Sequence, residues 1–119
     1  MNRSNIHPMP VLVAVRDLVF RSKIHAAAER LGVPIQLAPR GAPLADAARA
    51  FGEGTVIVDL AEPGILEQVR AAKAAPGLRV IGFLGHLEAD LARDAAAAGV
   101  DQVLSRGQFV QRLDALLQG

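Results

Sequence analysis

Apolar residues in this chain gather into short unbroken runs separated by longer stretches where they recur every third or fourth position. The runs are Val11 to Val15, Val33 to Ala38, Thr55 to Val58, Val80 to Leu84 and Val100 to Leu104. Length and β-branched content mark them as strands covered on both faces. In the stretches between them the period changes. Phe20, Ile24, Ala27, Ala28 and Leu31 share one helical face, as do Ile65, Leu66, Val69 and Ala72. Leu44 to Phe51 predicts an alanine-rich helix, Leu87, Leu91 and Ala95 mark another, and Phe109, Val110, Leu113, Leu116 and Leu117 belong to a final one. Breakers sit between the elements: Gly32, Pro39 to Pro43, Gly52-Glu53-Gly54, Pro76-Gly77 and Gly99. Pro63 stands where a first helical turn tolerates proline.

Strands alternating with helices imply right-handed crossovers and a parallel sheet with helices on both faces. Five such units predict an α/β domain of five parallel strands in the flavodoxin-like order 2-1-3-4-5, in which the ends of the first and third strands meet at the switch point. Asp17 follows the first strand and Asp59 ends the third, so the two carboxylates are expected close together.

Composition narrows this picture. A length of 119 residues fits one domain, and 51% apolar residues suffice for its core. Residues 1–10, polar and with two prolines, predict a flexible leader ahead of a domain spanning 11–119. A net charge of +1 speaks against a nucleic-acid partner, and the absence of cysteine removes disulfides, thiol catalysis and Cys-based zinc sites. No run reaches the roughly 20 apolar residues that cross a bilayer. A cytoplasmic location and no membrane partner are therefore the expectation. The three histidines lack metal-ligand spacing.

The segment Asp59-Leu60-Ala61-Glu62-Pro63-Gly64 carries the most chemistry. With Asp17 after the first strand and Ala98-Gly99-Val100-Asp101 leading into the last, the chain resembles the receiver domain of two-component response regulators. The resemblance covers nearly everything after the leader. It implies that Asp59 holds the phosphoacceptor position, with an acidic pair after the first strand, a hydroxyl residue after the fourth and Lys-Pro after the fifth. Asp17 is the second member of the acidic pair, or stands just beyond it if the register slips by one. Three positions depart from the pattern. Arg16 stands where an acid belongs, Leu84 or Gly85 where a hydroxyl belongs, and Arg106-Gly107 replaces Lys-Pro. The resemblance is to an atypical, or pseudo-, receiver.

The departures bear on chemistry. Phosphoryl transfer to a carboxylate needs a divalent cation. Asp17 and Asp59 would supply two carboxylates for Mg²⁺, while Arg16 turned inward would compete with it. Leucine at 84 offers no donor to follow a phosphoryl group. Arg106 keeps the lysine's charge on a wider fork suited to bidentate carboxylates, so a lock on Asp59 is one expectation. Asp17 also precedes the first helix directly and is a candidate N-cap. His86, beside Gly85 at the same rim, is a candidate acid, base or anion contact, with simple solvation as the alternative. The charged face of the first helix, including Arg21, is expected to be solvated.

Three functions follow from this reading. The first is a stand-alone, non-enzymatic signalling or scaffold module that binds signalling proteins or a second copy of itself, independently of phosphorylation and without a cofactor. Phe109, Val110, Leu113 and Leu117 are the candidate partner surface, because the last helix carries more apolar residues than one narrow buried stripe requires. The second is a phosphorylatable single-domain regulator that uses Asp59 with Mg²⁺. The third is a small-anion or small-ligand domain at the carboxyl rim of the sheet. Arg16-Asp17-Leu18 replaces any glycine-rich loop there, which speaks against dinucleotides.

Overall fold

A computed structural model describes residues 9–85 and 88–119. Its strands are β1 (Val11–Ala14), β2 (Ile35–Leu37), β3 (Gly54–Asp59), β4 (Leu78–Leu84) and β5 (Gln102–Ser105). They form one parallel sheet in the order β2-β1-β3-β4-β5, as the alternation predicted. The helices are α1 (Leu18–Leu31), α2 (Leu44–Phe51), α3 (Ile65–Ala72), α4 (Ala89–Ala98), α5 (Arg106–Gln111) and α6 (Leu113–Gln118).

Side chains alternate across the sheet with the two-residue period of a strand. Val11, Val13, Ile57, Ile81 and Phe83 point to the layer of α1, α5 and α6. Leu12, Val56, Val58, Val80 and Leu84 point to the layer of α2, α3 and α4. Two cores therefore flank a sheet with no wet face along its central strands, which is why those strands are continuous apolar runs. On the first side Phe20, Phe83 and Phe109 stack, with centroids 4.8 Å apart for Phe20–Phe83 and for Phe83–Phe109.

The final apolar helix differs from expectation. It breaks at Arg112 (φ −102°, ψ 9°) into α5 and α6. The two segments turn Phe109, Leu113, Leu116 and Leu117 all into the core. Three of the four candidate partner-binding residues (Phe109, Leu113 and Leu117) are thus core residues, and only Val110 stays exposed. The surplus apolar positions fill the space beneath two short helices rather than facing a partner.

Smaller corrections have local causes. Pro63 lies in a loop, because the Asp59 and Glu62 carbonyls accept from Glu62 and Ile65 N–H, and Gly64 (φ 77°) precedes the helix. β5 starts at Gln102, two residues late, since Val100 N–H closes α4 onto the Ala95 carbonyl. Pro10, assigned to the leader, is tied to the sheet through its carbonyl, which accepts from Thr55 N–H at 3.1 Å. Leu87 and His86 lie outside the described residues, as does most of the leader.

Asp101 stitches the opposite end of the sheet. Its N–H donates to the Val80 carbonyl, and its carboxylate accepts from Val80 N–H at 2.7 Å and from Lys73 Nζ at 2.9 Å. Partial burial works against the charged carboxylate. The Val80 N–H, then Lys73, then Arg79 outweigh it and hold the group below the ordinary aspartate range.

Candidate functional site

The carboxyl ends of β1 and β3 lie side by side, Ala14 being in register with Val58. Asp59 ends β3, and Asp17 follows β1 by three residues. Each commits one oxygen to the backbone. Asp59 Oδ1 accepts from Ala61 N–H at 2.9 Å, closing an Asx turn. Asp17 Oδ1 accepts from Val19 N–H at 2.9 Å and Phe20 N–H at 3.1 Å, so it is the N-cap of α1.

Their other oxygens face one guanidinium. Arg106 Nη1 is 3.9 Å from Asp17 Oδ2, and Arg106 Nη2 is 3.8 Å from Asp59 Oδ2. These are ion-pair distances, too long for hydrogen bonds. The expected proximity of Asp17 and Asp59 is thus realised through a shared cation. Arg106 is placed by a capping box at its own helix start: Ser105 Oγ accepts from Gln108 N–H, and Gln108 Oε1 accepts from Ser105 N–H. The guanidinium carbon lies 5.0 Å from the Phe20 ring centroid and 5.8 Å from that of Phe83. Arg106 Nε is buried and has no hydrogen-bond partner among the described residues.

Arg16 does not reach Asp59. It is 71% exposed and meets Glu62 across the rim, Nε to Oε1 3.9 Å. Of the two arginines considered for a lock, only Arg106 comes within ion-pair distance of Asp59. Leu84 ends β4 at the same rim, one position past the partner of Asp59, but its side chain is buried on the face covered by α2, α3 and α4. Glu62, Phe20, Phe83 and the Ser105–Gln108 pair escaped the sequence reading. Only the last had a local signal, Ser-x-x-Gln ahead of an apolar run. Glu62 and the phenylalanines enter the site through tertiary packing alone.

Two of the solved structures most similar to this chain superpose with a TM-score of 0.78. One is the signal receiver domain of the response regulator NarL from Mycobacterium tuberculosis, at 18% identity over 93% of this chain and 94% of that one. The other is a response regulator from Hahella chejuensis, at 17% identity over 92% of each. The fold is that of the response-regulator receiver domain. A third receiver fold, from a sensor histidine kinase of Pseudomonas aeruginosa, matches with a TM-score of 0.75 at 19% identity, covering 93% of this chain and 95% of that one. That structure has a magnesium ion coordinated in its active-site cleft. No protein-family model matches the sequence, and no curated protein does.

Such a cation would here compete with Arg106 for Asp17 and Asp59. Among the described residues no three acidic or histidine side chains converge as a metal group. The two carboxylates that do converge already hold Arg106 between them. Mg²⁺ prefers an octahedral shell of oxygens, and a fixed positive charge at the carboxylates opposes its entry.

Proposed function

We propose that this chain is a non-enzymatic signalling module on a receiver fold, acting by binding protein partners and independent of phosphorylation at Asp59. The observation that carries this reading is the single guanidinium facing both Asp17 and Asp59. A protein-borne cation there offsets one of the two negative charges and stands where a metal would approach both carboxylates. A switch driven by phosphorylation brings a metal and a phosphoryl group to the same carboxylates, and the wide planar fork of Arg106 competes there for both. Leu84, buried and without a donor, gives a phosphoryl group at Asp59 nothing to recruit.

The partner is a signalling protein or a second copy of the chain. Leu18 and Val19 are the apolar residues left open beside Asp17, and Val110 is open on α5. No helix among the described residues is long and apolar enough to cross a membrane, which agrees with a module working in the cytoplasm.

The test is incubation with acetyl phosphate and Mg²⁺, and separately with beryllofluoride, read by intact mass and by ¹⁵N amide spectra. Unmodified mass and an unshifted Ala61 amide are expected for the natural sequence. Mg²⁺-dependent phosphorylation at Asp59 would overturn the reading in favour of a phosphorylatable regulator.

A further inference from the structure

A cleft of about 90 Å³ opens one strand away from the Asp17–Asp59 pair, at the carboxyl ends of β1 and β2. Its lining includes Arg16, Arg21 and Arg40, three arginines against one acidic residue, Glu62. Only Arg16 is offset by that acid. Among the described residues Arg21 and Arg40 have no ion pair. In a chain whose net charge is only +1, this is a local concentration of uncompensated positive charge. The inner wall is apolar, with Leu37 half exposed and Ile65 buried behind it.

We infer that this cleft is a binding site for a small phosphomonoester, a phosphoryl head held by Arg21 and Arg40 with a short apolar body against Leu37. The volume corresponds to about three water molecules, enough for a tetrahedral oxyanion and too small to enclose a nucleoside. Guanidinium forks pair with phosphate oxygens two at a time, which suits a site built from arginines rather than lysines. Leu37, 48% exposed, offers apolar surface for the body of such a ligand. The site also touches the Asp59 loop. Arg16 reaches Glu62, whose N–H donates to the Asp59 carbonyl, so a ligand that draws Arg16 away loosens that turn.

The experiment is a titration of the ¹⁵N-labelled chain at constant ionic strength with phenyl phosphate, and in parallel with inorganic phosphate. Saturable shifts are expected at the amides of Leu37, Ala38, Arg40, Gly41, Ala42 and Leu44 and at Glu62, with phenyl phosphate the tighter of the two. Arg40→Gln lies on an exposed loop and leaves the fold intact. It and Arg21→Gln are each expected to weaken binding about tenfold, while Arg93→Gln, on the exposed face of α4 and outside the cleft lining, leaves it unchanged. The inference is overturned if sodium chloride reproduces the shifts or if they centre on Ala61 and Arg106. It is equally overturned if the two arginine variants bind as the natural sequence does, or if inorganic phosphate binds as tightly as the phenyl ester.

Discussion

Replacing Arg106 by glutamine removes the cation from between Asp17 and Asp59 while keeping a polar side chain of similar reach. Two ion pairs of 3.9 and 3.8 Å are lost. At an effective dielectric of about 20, each corresponds to about 4 kcal/mol of Coulomb attraction. Arg106 is 39% exposed, and solvent reduces this to about 1 kcal/mol per pair. Stacking on Phe20 contributes about 0.5–1 kcal/mol more. The buried, unpartnered Nε costs about 1–3 kcal/mol and disappears with the substitution. These contributions nearly cancel, so the variant is expected to unfold close to the natural melting temperature.

Metal affinity responds differently. A Mg²⁺ ion entering the natural site must displace about 2 kcal/mol of screened pairing, so its affinity for Arg106→Gln rises by about ten- to thirtyfold. The chain has no tryptophan or tyrosine, which rules out intrinsic fluorescence as the readout. The Ala61, Val19 and Phe20 amides donate to the two carboxylates and report directly in a ¹⁵N titration with MgCl₂. Equal Mg²⁺ responses in the two proteins would refute the reasoning, as would saturation of the natural chain at micromolar Mg²⁺.

Three other outcomes are expected. Phe109→Ala empties a fully buried position stacked on Phe83 and costs about 3–5 kcal/mol in urea unfolding, whereas Val110→Ser on the same helix stays within about 0.5 kcal/mol. Equal costs would contradict the placement of α5. Gly54→Ala forces a side chain into a backbone at φ 144°, against the Pro10 carbonyl oxygen and 2.9 Å from the Phe51 ring, and lowers stability by about 2–4 kcal/mol in the same assay. Asp101 has a depressed folded-state pKa, so its stabilisation is present above the unfolded value of about 3.9 and lost as pH falls through the folded one. Asp101→Asn is therefore expected to flatten the fall in stability below about pH 4, measured by melting temperature against pH. An unchanged acid limb would remove that role.

The alternation of strands and helices, the two-faced sheet and the address of Asp59 were legible in the sequence because they rest on local periodicity, and the strand order followed by likeness to flavodoxin-like folds. An apolar run covered on both faces can hardly be other than a central parallel strand, and a carboxylate at its end lies at the rim. The N-cap role of Asp17 was legible for the same reason, since a cap acts on amides two and three residues away. The final helix was misjudged because counting apolar positions on a straight cylinder overlooks a break at Arg112. Only the folded chain decides whether the surplus is exposed or shared between two segments.

The chain by itself thus determined the architecture and a short roster of charged groups at the rim of the sheet. Which of those groups meet depended on residues far apart in sequence. Arg16 and Arg106 both have the length to reach Asp59, and nothing local separates them. The tertiary structure sends Arg16 to Glu62. It seats Arg106 over Phe20 and Phe83, where a capped helix start and two aromatic faces aim its charge at both carboxylates. An arginine's destination is set by the surface it packs on, and that surface exists only once α1, β4 and α5 have come together.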